Sequence, residues 1–434
     1  MDNYKILKHK IEGKKAKICI VGLGYVGLPL AKAFSQVGYF VYGLDTNPLR
    51  IKKLKKGERY IIDVDSRQIL SLIKKNKFLP TTKEEVLVDS DVVIICVPTP
   101  LRKVKVPDIS YVVKATQTIK DYLRASQLII LESTSYPTTT RDVVLPILRK
   151  SGLKEERDFF LCFSPERVNP GDAKFPLVKI PKIVGGLSNK STLLAKLLYS
   201  KIIKSVFGVS TPEVAEASKL LENTFRLVNI ALVNEFAIVC NRLGVNIWDV
   251  VEAAKTKPFG FMPFWPGPGI GGHCIPTDPI YLSWKAKKLG FKTRMIDLAS
   301  YINHYMPMYV VERVNKLLRN RGVTFSKARI LILGVTYKRD VKDLRESPAL
   351  DIIEHLQRRV KKVDYYDPLI PYLKIRYINL KRINLTKDTL KKYHCAILVT
   401  NHSNFNYQFL QRNSRLIFDT RNAYKRSFPN VEKL

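Results

Sequence analysis

The chain has 434 residues, enough for two or three domains of ordinary size. Hydrophobic residues make up 46% and charged residues 26%, a globular composition, and no apolar run in the sequence approaches the roughly 20 residues that a membrane-spanning helix needs. The formal net charge of +36 is spread along the whole chain, mostly as Lys on amphipathic segments and without a recognition motif, so anionic small ligands are expected rather than nucleic acid or a membrane.

Met1 to Lys15 is basic but lacks the apolar stretch of a secretory signal, which makes the cytoplasm the default location. Cys19, Cys96, Cys162, Cys240, Cys274 and Cys395 are scattered and include no Cys-x-x-Cys pair. That pattern argues against a disulfide framework or a zinc site, and no metal is expected.

The chain opens as strand, glycine turn, helix, strand. Lys17 to Val21 is a short buried strand, Gly22-Leu-Gly-Tyr-Val-Gly27 the turn, and Leu28 to Val37 has helical apolar spacing. A second strand, Tyr39 to Leu44, ends at Asp45, and further strands are expected at 92–97, 128–131 and 159–163. Strands alternating with helical patterns imply a parallel, doubly wound sheet.

A long helix follows. Thr211 suits the N-cap, Pro212 the first helical position, and Glu213 and Glu216 complement the positive helix end. The apolar pattern runs to Leu243, where Gly244 is the stop, giving a helix of ~48 Å. Such a spine is suited to joining domains and to packing against a second copy of itself, so a homodimer is expected.

The last third echoes the first. Ala16 to Gly22 resembles Ala328 to Gly334, Asp45 recurs as Asp367, and 94–99 and 128–134 have counterparts at 396–400 and 416–420. The expected architecture is therefore α/β: two Rossmann-like doubly wound domains, 1–208 and 323–434, joined by a central helical domain, 209–322. The second has lost the glycine fingerprint and should bind something other than a dinucleotide.

Gly22-x-Gly24-x-x-Gly27 sits between a strand and a helix, and Asp45 lies 18 residues past Gly27. The glycines allow close approach of a pyrophosphate to the helix N-terminus, and a carboxylate at Asp45 suits ribose hydroxyls while repelling a 2′-phosphate, so NAD is favoured over NADP. Gly267-Pro-Gly-Ile-Gly-Gly-His-Cys-Ile-Pro-Thr-Asp278 places Cys274 in a glycine loop rather than a core strand, with Asp278 four residues on. Glu216, Lys219 and Asn223 share one face of the long helix, where a covered Lys beside an Asn can polarise an oxygen. Ser164-Pro-Glu166 follows a strand, which puts Glu166, like Thr99 and Thr134, at the carboxyl edge of the sheet near the cofactor crevice.

Taken together, Gly22 to Pro29, Ser164-Pro-Glu-Arg167, Lys219 with Asn223, Gly271-Gly-His-Cys-Ile-Pro-Thr-Asp278, and Tyr337-Lys-Arg-Asp with Asp343-Leu-Arg-Glu-Ser-Pro348 resemble the UDP-glucose/GDP-mannose dehydrogenase family over nearly the whole chain. The resemblance implies an NAD domain, a central dimerising domain and a C-terminal domain for the UDP part of a UDP-sugar. It implies that Cys274 is a nucleophile, that Lys219 and Asn223 stabilise oxyanions, that Asp278 holds water or helps proton transfer, and that Glu166 is a base for hydrolysis. Thr134 would position water near the nicotinamide. Cofactor contacts are implied at Gly22, Gly24, Tyr25, Val26, Gly27, Asp45, Arg50, Thr99, Thr134 and Arg345. Substrate contacts are implied at Glu166, Arg167, Lys219, Asn223, Gly271, Lys338 and Arg421.

Members acting on UDP-glucose tend to carry Cys-Phe-Pro-Lys-Asp where this chain has Cys274-Ile-Pro-Thr-Asp278, and Lys where it has Glu132. Those departures, with Pro258 to Gly269 and Tyr281-Leu-Ser-Trp-Lys285, are similar to the branch acting on UDP-N-acetylglucosamine. UDP-N-acetylmannosamine, UDP-N-acetylgalactosamine and UDP-glucose stay open as substrates. A two-electron hydroxyacid-type dehydrogenase would need neither the cysteine nor a second Rossmann-like domain.

Overall fold

Lys17-Ile-Cys-Ile-Val21 forms a strand because its β-favouring, apolar centre can be buried on both faces, as an interior strand of a parallel sheet requires. In the computed structural model, which describes residues 2–61, 64–102, 106–168 and 176–434, this strand is β1. Among the described residues it is joined by β2 (Phe40–Leu44), β3 (Phe78–Thr81), β4 (Val92–Ile95), β5 (Gln127–Leu131), β6 (Phe159–Phe163), β7 (Lys182–Gly186) and β8 (Val206–Val209). The sheet order is β3-β2-β1-β4-β5-β6-β7-β8, with every neighbouring pair parallel except β6 and β7. One apolar core lies under the helices Gly27–Gln36 and Asn189–Tyr199, and the other lies under Ser110–Asp121 and Leu145–Arg149. Helices on both faces make the sheet doubly wound.

The C-terminal sheet contains β9 (Arg329–Leu333) and β10 (Lys362–Tyr366), then, beyond a hairpin of β11 (Tyr372–Ile375) and β12 (Ile378–Lys381), β13 (Cys395–Leu398), β14 (Ile417–Asp419) and β15 (Val431–Lys433). Its order is β10-β9-β13-β14-β15, all parallel. The internal echo extends to hydrogen bonds. Asp45 accepts from the amides of Leu23 and Asn47; Asp367 accepts from those of Val335 and Leu369. Gly22 and Gly334 both have positive φ, and a Cβ on either would meet the carbonyl oxygen that follows the neighbouring strand, Cys96 at 2.6 Å and Thr400 at 2.3 Å.

The spine helix runs from Pro212 to Leu243, 32 residues. Thr211 Oγ1 accepts the Val214 amide at 3.3 Å, and Gly244 takes φ +71° while the Val245 amide reaches the Cys240 carbonyl. These are an N-cap and a left-handed C-terminal stop. Helix Ile247–Ala254 packs Ile247, Trp248 and Val251 on Val233, Ala237 and Cys240 of the spine. By compactness the chain divides into a first unit, 1–222 with 280–291, and a second, 223–279 with 292–434.

Candidate active site

In the first unit the glycine turn is tight because the chain leaves no room. Gly27 opens the helix Gly27–Gln36, and a Cβ on it would stand 1.9 Å from the Gly22 carbonyl oxygen. Gly24 differs: among the described residues other than its chain neighbours, no atom lies within 4 Å of where its Cβ would be. Val26, the N-cap, supplies no side-chain hydrogen bond, and Tyr25 is exposed. Open space therefore faces backbone amides at the positive end of a helix, which fits a dinucleotide pyrophosphate. Asp45 ends β2 and is nearly buried, with Oδ2 accepting the Leu23 amide at 2.8 Å and Arg50 Nη1 at 2.6 Å. The first partner of Arg50 is thus Asp45, and its guanidinium carbon stands 5.7 Å from the Tyr60 ring centroid. Thr99 is buried after β4, its carbonyl accepting the Tyr281 hydroxyl at 2.8 Å, and Thr134 is half-buried just after β5. These residues fit NAD.

At the carboxyl ends of β5 and β6 stands a buried cluster. Lys182, the first residue of β7, contacts Glu132 directly and lies 3.4 Å from Glu166 Oε2. Glu132 Oε2 also accepts the Tyr199 hydroxyl at 3.2 Å and lies 3.8 Å from Cys96 Sγ. Glu132 is 1% exposed. Its carboxylate is paired with Lys182 and accepts the Tyr199 hydroxyl within the fold. Burial raises the pKa of Glu166 and pulls that of Lys182 down to about 7. Arg167 forks onto Glu222, at 2.6 Å, and donates to the Pro181 carbonyl at 2.7 Å.

On the spine helix Glu216, Lys219 and Asn223 are all buried. Glu216 accepts from the Thr138 amide, the Thr140 amide and Thr140 Oγ1, and burial pushes its carboxyl up to about 7.

In the second unit Cys274 is not in a loop, as expected from the sequence, but is the first residue of the helix Cys274–Lys288. Pro276 falls in the first turn, where a missing N–H costs nothing, and Pro279 lies inside the helix. Cys274 is exposed and the other five cysteines are buried. A sulfur at the positive end of a helix is in a setting that stabilises a thiolate. Asp278, one turn on and so on the same face, is buried and accepts from Asn223 Nδ2 at 2.5 Å.

The glycines before Cys274 answer first to the chain itself. A Cβ on Gly271 would meet Tyr337 Cβ and the Glu346 carbonyl at 2.6 Å, and Gly272, at φ +84°, lies against the Tyr337 ring with its amide on the Arg345 carbonyl. Gly267 is held by Asn234, whose Oδ1 accepts its amide at 2.9 Å and whose Nδ2 donates to Asn303. A Cβ on Gly267 would stand 2.6 Å from Arg421 Nη1. Arg421 donates to the Val399 carbonyl, and burial lowers its pKa to about 10. Arg345 forks onto Asp343, and Lys338 lies beside Thr336, whose hydroxyl donates to the Lys338 carbonyl. Asp367, the counterpart of Asp45, is fully buried and also meets His402 Nε2 at 3.0 Å. Lys182, Asn234 and His402 were not singled out by sequence reasoning; their partners lie well apart from them in the chain, and no spacing marks them.

Residues 16–203 match the NAD binding domain of the UDP-glucose/GDP-mannose dehydrogenase family, residues 213–305 its central domain and residues 331–426 its UDP binding domain. The chain is 39% identical over 359 residues to UDP-N-acetyl-D-glucosamine 6-dehydrogenase of Pseudomonas aeruginosa, covering 82% of this chain and 84% of that one. It is 36% identical over 415 residues to UDP-N-acetyl-D-mannosamine dehydrogenase of Pyrococcus horikoshii, covering 94% and 96%. The solved structure of the UDP-N-acetylmannosamine dehydrogenase from Pyrococcus horikoshii superimposes with a TM-score of 0.87 at 34% identity, covering 96% of this chain and 98% of that one. A glycine turn fit for NAD, a second Rossmann-like sheet and sequence matches along all three segments agree: the chain belongs to the UDP-glucose/GDP-mannose dehydrogenase family and is an NAD-dependent UDP-sugar dehydrogenase.

Proposed function

We propose that the chain oxidises the C6 hydroxymethyl of UDP-N-acetylglucosamine to the uronic acid, a four-electron reaction that passes through a covalent intermediate on Cys274 and serves surface polysaccharide synthesis in the cytoplasm. The observation that carries this reading is the exposed Cys274 at a helix N-terminus, with the Asp278–Asn223 pair one turn on. NAD supplies the two-electron acceptor, used twice per sugar. Cys274 adds to the C6 aldehyde, and oxidation of that thiohemiacetal leaves a thioester on the same sulfur. Lys219 and Asn223 stabilise the oxyanions, the amide of Asn223 being oriented by Asp278. Asp278 and Thr134 hold water. Glu166 takes the proton of the water that cleaves the thioester, which returns Cys274. Arg167, Gly271, Lys338 and Arg421 hold the sugar nucleotide, and Arg345 the NAD. The boundaries 1–208, 209–322 and 323–434 divide cofactor, helical and UDP-sugar domains.

Relatives of similar identity carry names for both the glucosamine and the mannosamine sugar. A side-by-side assay decides between them. The kcat/KM for UDP-N-acetylglucosamine should exceed that for UDP-N-acetylmannosamine; the reverse order would move the assignment to the other epimer and leave the reaction intact.

The working form is a homodimer. Leu221, Phe225, Leu232, Phe236, Val239 and Leu243 are all exposed along the spine helix at intervals of three, four and seven residues, a continuous apolar stripe. Among the described residues this is the helix long and apolar enough to cross a membrane, but Glu213, Glu216, Lys219, Glu222, Arg226, Glu235 and Arg242 interrupt it, which favours a protein partner. Leu232→Glu should convert the dimer to monomer by light scattering; a wild-type monomer at working concentration contradicts the reading.

A further inference from the structure

The sheet has one antiparallel junction, and that junction places a cation at a particular edge. In a parallel sheet every strand would start at the edge away from the ligand crevice. Because β7 runs against β6, its first residue, Lys182, lies at the carboxyl ends of β5 and β6. The ladder sets Cys162 opposite Gly186 and Phe163 opposite Gly185. Carried three residues further, the same register sets Glu166 opposite Lys182. The side chains agree: Lys182 Nζ reaches Glu166 Oε2 at 3.4 Å and touches Glu132, which closes β5. Both Lys182 and Glu132 side chains are withdrawn from solvent, at 3% and 0% exposure.

We infer that Lys182 is a positioning residue that sets the ionisation of Glu166, and that Glu132 is the second carboxylate that fixes Lys182 in place and competes with Glu166 for its charge. The inference rests on the proposed role of Glu166 as the base that cleaves the thioester. In that step water adds to the acyl carbon, a C–O bond forms, the C–S bond to Cys274 breaks, and the water proton goes to Glu166.

A base must be ionised to accept the proton, yet burial disfavours the carboxylate and raises its pKa. Its Oε1 accepts the Val168 amide, and Lys219 and Arg167 also favour the charged form. Arg167 is itself engaged by Glu222. Cys96 and Tyr199 complete the surroundings, and burial pushes Cys96 up to about 12 and Tyr199 well above its ordinary value, so both are neutral at working pH. Lys182 is therefore the cation within ion-pair distance of the Glu166 carboxylate oxygen among the described contacts. Burial pulls the Lys182 ammonium down to about 7, and the carboxylates of Glu132 and Glu166 stand against it. The Tyr199 hydroxyl on Glu132 Oε2, and the Tyr199 ring centroid 5.2 Å from Lys182 Nζ, fix the pair.

The two partners act on Glu166 with opposite sign, which a purely structural ion pair would not. Removing the cation in Lys182→Met raises the Glu166 pKa. Removing the competing carboxylate in Glu132→Gln leaves Lys182 to Glu166 alone and lowers it. The readout is the pH dependence of acid release from the acyl-enzyme, measured by rapid quench with UDP-N-acetylglucosamine and NAD, beside the NADH burst. For Lys182→Met the half-rise of the rate should move up by at least about one pH unit, so that release on the acid side of the half-rise is about tenfold slower, and acyl-enzyme should accumulate there. For Glu132→Gln the half-rise should move down. Lys182→Arg should stay near wild type. The double variant Lys182→Met with Glu132→Gln removes both charges, leaves no buried lone ion, and should return toward the wild-type profile. Unshifted profiles in Glu132→Gln and the double variant, or shifts of the same sign in both single variants, overturn the inference. Glu166→Gln separates it from the reading beneath: if that variant releases acid at the wild-type rate, Glu166 is not the base; if it stalls as acyl-enzyme while the Lys182 and Glu132 profiles stay unshifted, the inference alone fails.

Discussion

Cys274→Ser is expected to slow uronic acid formation by at least about a thousandfold, because an unactivated hydroxyl is a far poorer nucleophile than a thiolate at a helix N-terminus. The substitution should leave the fold untouched. Cys274 is the exposed cysteine of the six, and replacing a surface side chain of similar size changes stability by only about half a kcal/mol. The two readouts therefore separate: melting temperature unchanged, acid production lost. Quantifying the acid by mass against enzyme concentration checks it. Wild-type acid production by the variant would show that the second oxidation needs no sulfur, and the covalent mechanism would be wrong.

Gly27→Ala should abolish NAD binding and lower stability together. A methyl group there would lie 1.9 Å from the Gly22 carbonyl oxygen and 3.0 Å from Ile20 Cγ2. The first obstacle is backbone, so the turn itself must open. Overpacking of this kind costs about 1–3 kcal/mol or more, and the amides that face the pyrophosphate move with the turn. Gly24→Ala is the contrast. Among the described residues other than its chain neighbours, nothing stands within 4 Å of its Cβ position, so the free protein should melt at the wild-type temperature, while NAD affinity should fall as the methyl group enters the space proposed for the cofactor. Thermal melts with and without NAD, with equilibrium titration, read both. Equal NAD affinity in Gly24→Ala and wild type would mean that the cofactor does not approach that turn.

Much of this was legible because it is local. The strand at 17–21, the turn at 22–27 and Asp45 are fixed by neighbours in sequence, and the helix Gly27–Gln36 begins where the last glycine falls. The spine helix was legible at both ends, since Thr211 and Gly244 act on the residues beside them. The Cys274 helix was not. Six glycines and prolines from Gly267 to Pro276 read as a loop, and the turn that starts at Cys274 tolerates Pro276 only because the first helical amides have no partner within the helix. The packing of the glycines was not legible for a related reason. Sequence shows that Gly271 lacks a side chain, but only the fold shows that Tyr337 and Glu346 occupy the space. The Glu132–Lys182–Glu166 cluster depends on β7 reversing direction against β6, a long-range pairing with no periodic signature. The sequence marks Glu132 only by its departure from Lys; the fold adds its buried ion pair with Lys182.

The central claim is a four-electron oxidation through Cys274, and its most direct test is the NADH formed per sugar when purified protein consumes limiting UDP-N-acetylglucosamine to completion. The account predicts about two NADH per sugar, one for each oxidation. About one NADH per sugar, with the aldehyde as the end product, would contradict it and would make the chain an ordinary alcohol dehydrogenase in which Cys274 has no covalent role.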